Sequence, residues 1–101
     1  MYTARVKATL RLHQKKVFKN SLLVEMKLWE VPKTHKYPDG IKYSLIAIHL
    51  NKKTRVLMDN HTPKGHHYHL DDNEFKYEFS DMDQLVNDFR AFVKIHLGVS
   101  L

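Results

Sequence analysis

Cysteine is absent from all 101 residues of the chain. A disulfide framework and a thiolate metal site are therefore both excluded. No apolar run is long enough to cross a membrane as a helix. The opening Met1-Tyr2-Thr3-Ala4-Arg5 lacks the apolar centre of a signal peptide, so the cytoplasm is the expected compartment. There is no internal repeat, low-complexity tract or linker, and a chain of this length has room for one modest core. A single domain over residues 1–101 is expected.

Acidic residues are scarce in the first part of the chain. Residues 1–58 carry 13 Lys/Arg against 3 Asp/Glu, whereas residues 59–101 carry 4 against 8. A basic segment of this strength suits an anionic partner, and the phosphate backbone of a nucleic acid is the commonest one. A lysine-rich solubilising surface is the plainer reading. Lysine outnumbers arginine 13 to 4, which counts against bidentate phosphate recognition.

The hydrophobic pattern has mostly period two. Val6, Ala8, Leu10 and Leu12 alternate with Arg5, Lys7, Thr9 and Arg11, which predicts a strand with a basic outer face. His13 to Ser21 reads as a turn or irregular hairpin loop. Leu22, Val24, Met26 and Leu28 alternate again and predict a second strand, ended by Val31-Pro32. Pro38-Asp39-Gly40 is a turn signal. Ile41 to Leu50 is apolar on both faces and predicts a central third strand. Thr54 to Met58 predicts a fourth, and Phe75, Tyr77 and Phe79 a fifth.

The period then changes. Met82, Leu85, Val86, Phe89, Phe92, Val93 and Leu97 follow helical spacing, with Ser80 as N-cap, Asp81 and Asp83 in the first turn and Gly98 as C-cap. The fold class is thus α+β. An antiparallel sheet of four to five strands, over about residues 4–79, is packed by a C-terminal helix over about 81–97. The aromatic positions of that helix read as core.

Four of the eight histidines fall between Asp59 and His69, in Asp59-Asn60-His61-Thr62-Pro63-Lys64-Gly65-His66-His67-Tyr68-His69. Imidazole titrates near neutral pH, so such a cluster can move protons, hold a metal or meet phosphate; a loop of solvated histidines is the bland alternative. Cleavage of RNA through its 2′-OH needs a base, an acid and a cation beside the crowded phosphorane. His67 and His69 suit the first two roles, and Lys64 with Arg55 could supply the charge. Gly65 would let backbone amides approach a phosphate. A zinc-like ion on His67 and His69, with His61 or Asp59 adding ligands, is the rival chemistry. No helical His-Glu-x-x-His supports it, so metal-free chemistry without a cofactor is preferred. Trp29 lies on the polar side of its strand. It could stack a base or, as tryptophan more often does, pack, here under the Pro32–Pro38 loop.

Three stretches carry a resemblance. Val24-Glu25-Met26-Lys27-Leu28-Trp29-Glu30-Val31-Pro32, Lys42-Tyr43-Ser44-Leu45 and Asp59 to His69 are similar to motifs of the TumE-like toxins of type II toxin–antitoxin modules. Asp83-Gln84-Leu85-Val86-Asn87-Asp88-Phe89 resembles that family's helix opening. The similarity spans about residues 5–95. Asp59, Asn60, Lys64, Gly65, His67 and His69 match the loop pattern, whereas His66 stands where the family commonly has Asp, and Met58 where it has Tyr.

The resemblance implies a growth-inhibiting toxin with a cognate helix-turn-helix antitoxin. By analogy with other small basic toxins, the expected target is RNA and the expected activity ribonuclease. In that reading Asp59 and Asn60 orient the loop. The alternative is a non-catalytic basic module that binds nucleic acid or an acidic protein through residues such as Arg5, Lys7 and Arg11. No membrane partner is expected, and an exposed edge strand could support a homodimer.

Overall fold

The computed structural model describes residues 8–19 and 21–101. Its sheet has six antiparallel strands in sequence order: β1 (Thr9–Phe18), β2 (Leu22–Glu30), β3 (Ile41–His49), β4 (Arg55–Asp59), β5 (His67–Leu70) and β6 (Asn73–Lys76). One helix, α1 (Met82–Leu97), follows. The α+β class holds, with one strand more than the upper expectation.

The register sorts every side chain onto one of two faces. Val24, Ala47 and Val56 lie opposite one another on adjacent strands, as do Met26, Leu45 and Met58. All six are buried. Leu85, Phe89, Val93 and Leu97 recur every fourth residue and close this core from α1. Met82, Val86 and Phe92 pack at its margin, so all seven helical positions face the sheet. The opposite face carries the alternate residues. Among the described residues no helix covers it, and it is called the open face below.

Several expectations change. The segment from His13 is not a turn, because β1 continues to Phe18 and pairs with β2 as far as Leu22. An edge strand tolerates polar residues on both faces, since neither is fully covered. The alternation at the start of β1 also fails. Leu10 pairs with Trp29 and Leu12 with Leu28, so Arg11 is an extra, bulged residue. The bulge sends Leu12 toward the core and leaves Leu10 on the open face, 45% exposed. Arg5, Val6 and Lys7 lie outside the described residues. Finally, Asp81 rather than Ser80 is the N-cap of α1, accepting from the Gln84 backbone N–H at 2.8 Å. Gly98 caps the other end at φ 73°, as its position predicts.

The segment expected as a histidine loop and a fifth strand becomes two short strands. Asp59 ends β4, His67 begins β5, and β6 runs from Asn73. Tyr77 and Phe79 lie beyond it. Tyr77 reaches α1 instead, donating its hydroxyl to Asp88 at 2.6 Å.

Candidate functional site

The antiparallel register builds two rows across the open face, the first of them polar throughout. His13, Lys27, Ser44, Asp59, His67 and Lys76 follow one another on the six strands. The next row contains Lys15, Glu25, Ile46, Leu57, His69 and Glu74. His67 and His69 are two apart in one strand, so they share a face. Their rings meet edge to face with centroids 5.1 Å apart.

Each imidazole has a carboxylate beside it. His67 Nε2 lies 3.1 Å from Asp59 Oδ1, and both side chains are largely buried. The His67 Nδ1–H donates to the Gly65 carbonyl at 2.8 Å. Gly65 can turn that carbonyl inward because its φ of 72° is in the left-handed region that glycine enters freely. His69 is more open, and its Nε2 lies 3.3 Å from Glu74 Oε1. The same Glu74 oxygen accepts from Lys64 Nζ at 2.6 Å. That bond is the main reason the Glu74 carboxyl is held below the usual carboxylate range.

Asn60 fastens the intervening loop. Its Oδ1 accepts from the Tyr43 backbone N–H at 3.0 Å, and its Nδ2 donates to the Ile41 carbonyl at 2.7 Å. Asp59 Oδ1 also accepts from the His61 backbone N–H at 3.2 Å. These bonds fasten the start of the loop that carries Lys64 and Gly65.

The other named residues lie apart. Arg55 is on the open face one row beyond His69, where its guanidinium meets Asp72 at 3.2 Å. Its backbone N–H donates to Asp71 and is the largest cause holding that carboxyl low; His96 adds to the effect. Trp29 flanks the first polar row on the opposite side. It is half-buried and lines a hollow of about 320 Å³ with Lys27, Lys42, Tyr43, Ser44 and His61. It is therefore accessible to a ligand from the open face. His61 belongs to that hollow. The acid–histidine cluster that could share an ion among the described residues is His67, His69 and Glu74, not the three histidines suggested by sequence.

Sequence reasoning missed Glu74 and the contacts of His66. Glu74 faces His69 because Asp71-Asp72 forms a tight turn, with Asp71 at φ 56°. An Asp-Asp pair between short alternating runs is a usable hairpin signal. His66 points to the opposite side from His67, as the alternation predicts, but its partners were not visible. Its Nε2 lies 2.7 Å from Asp39 Oδ2 and its Nδ1 2.9 Å from the Tyr43 hydroxyl. Its ring stacks on Phe79 at 4.8 Å. No local pattern reveals this, since Asp39 and Tyr43 are distant in sequence.

A family model described as Toxin TumE matches residues 2–97. No curated protein and no solved structure matches the chain.

Proposed function

Because the chain belongs to the TumE toxin family, we propose that it restrains growth by cleaving RNA on the open face of its sheet. Membership of a toxin family implies an antitoxin partner. We assign that partner to the helix-turn-helix DNA-binding class and place the toxin in the cytoplasm, where RNA is available.

One observation carries the reading: on the open face two imidazoles lie edge to face, the largely buried His67 and the more open His69, each beside a carboxylate. His69, the more open ring, takes the proton of the ribose 2′-OH as the oxygen attacks phosphorus. His67 has an acceptor at each nitrogen and serves as the proton-carrying partner. It gives the Nε2 proton to the departing 5′ oxygen. The products are a 2′,3′-cyclic phosphate and a 5′-hydroxyl, which balances protons and bonds. Lys64 exchanges Glu74 for the phosphate and offsets charge on the phosphorane. Trp29, with Lys27 and Lys42 beside it, offers a stacking surface and cations to a single strand.

Tightly controlled induction of the chain, beside folded His69→Ala and His67→Ala/His69→Ala variants, tests this. Growth arrest with new cyclic-phosphate RNA ends is expected for wild type and not for the variants. A folded double variant that remains fully toxic would remove the assignment.

A second reading rests on β1, whose exposed Arg11, Lys15 and Lys16, with Lys19 just beyond it, line one edge of the sheet. These residues would bind an acidic partner without chemistry, and the free edge could also pair two copies. Binding that falls steeply with salt, with no product and no effect of histidine substitution, would favour it.

A further inference from the structure

His67 and His69 sit in a donor set whose composition suits more than proton transfer. One ligand atom each from His67, His69 and Glu74 lies within 4.8 Å of the others. Two imidazole nitrogens and one carboxylate form a donor set that first-row divalent ions accept well. A tetrahedral zinc ion with bonds of about 2 Å needs neighbouring ligand atoms roughly 3.3 Å apart. His69 Nε2 and Glu74 Oε1 are already 3.3 Å apart.

The tautomer of His67 strengthens the argument. Its Nδ1 faces only the Gly65 carbonyl, so that nitrogen carries the hydrogen. A backbone carbonyl on the remote nitrogen is the usual support for a metal-bound imidazole, because it aims the Nε2 lone pair at the ion. In the neutral ring, that Nε2 lone pair would face the Asp59 carboxylate at 3.1 Å. A proton on Nε2 satisfies this contact, and a metal ion can take that proton's place. On the neighbouring pair, the Lys64 ammonium occupies Glu74.

We propose that His67, His69 and Glu74 form a binding site for a divalent transition-metal ion of the zinc class, for which the Lys64 ammonium is the resident competitor. Asp59 adds negative charge from the side. The ion takes the Nε2 lone pairs, so occupancy also switches off proton transfer; this consequence alone rests on the ribonuclease reading.

The test uses the chelator-treated chain titrated with zinc at neutral pH, followed by calorimetry and thermal unfolding. One ion per chain and a raised Tm are expected. Cobalt in place of zinc should give the visible absorption of a low-coordinate site. Glu74→Gln, on an exposed side chain that leaves the fold intact, should weaken zinc about tenfold or more, and His69→Ala at least as much. His61→Ala should leave the affinity unchanged. Lys64→Met should tighten binding, an effect that adventitious capture by surface histidines would not show.

No saturable zinc binding, or affinity untouched by both Glu74→Gln and His69→Ala, would overturn the site. RNA cleavage by the metal-free chain is measured separately. Zinc binding without any cleavage would leave this site standing and remove the ribonuclease reading. Cleavage unaffected by bound zinc would remove the switch.

Discussion

Asp59 and His67 face each other across β4 and β5, with Oδ1 3.1 Å from Nε2 and each side chain about a tenth exposed. The carboxylate also receives the His61 backbone N–H at 3.2 Å. One acid thus orients a ring and shapes the loop that follows it. Asp59→Asn keeps the shape and removes the charge. It should lower stability by about 1–3 kcal/mol, read by urea unfolding. Any RNA cleavage should fall by more than that loss of folded protein explains, once compared at equal folded fraction.

Asn60 contributes through hydrogen bonds alone. Asn60→Ala leaves the Tyr43 N–H and the Ile41 carbonyl without their partners at a buried position. A loss of about 2–3 kcal/mol is expected in denaturant unfolding. Asn60→Asp should not restore it, because a carboxylate cannot donate to the Ile41 carbonyl. A fully stable Asn60→Ala protein would mean that the loop is held elsewhere.

His66 sits between an acid and a phenol. His66→Asp introduces the residue common in the family pattern and sets a second carboxylate beside Asp39. Destabilisation is expected, and Asp39→Asn in the same chain should recover part of it. A double-mutant cycle reads that recovery directly. Simple additivity of the two changes would show that the pair does not interact.

Burial pushes the Tyr43 phenol well above its ordinary value, and burial followed by the bond to Asp88 does the same for Tyr77. Both folded values exceed the unfolded value of 10.0. The neutral phenol is the form the fold favours. Its stabilisation is therefore complete below the unfolded value and declines as pH rises from there toward the folded ones. Ultraviolet titration should show Tyr43 and Tyr77 ionising late, together with alkaline unfolding. Five phenols titrating together with the fold intact would contradict the burial of these two.

The helix start separates two adjacent residues. Asp81→Ala should cost about 1 kcal/mol, whereas Ser80→Ala should cost little. Thermal unfolding of the two variants distinguishes them. Equal losses would place the cap differently.

The sheet and helix were legible because their signals are local. Val24 to Leu28 alternates without interruption, and Leu85 to Leu97 keeps one helical stripe. The β1 bulge was not legible, because Leu10 and Leu12 preserve period two in sequence while Arg11 breaks it in space. The histidine pair was legible from its spacing, which places His67 and His69 on one side of any strand. Glu74 and Asp39 were not, since their roles depend on which residues a turn or a distant loop brings alongside. Trp29 was visible only as an anomaly, and the pairing with Lys42 supplies its setting.

The strand order also bears on when the protein becomes competent. Each strand pairs with the one before it, so the sheet can zip up in the order of synthesis with little loop-closure cost. Its buried face nevertheless stays bare until α1, the last described element, docks over β3 and β4. Strands that carry Asp59, His67 and His69 are made before the element that steadies them. A nascent chain still short of that helix therefore holds His67 and His69 without a stable platform, and the cover arrives only once α1 has been made.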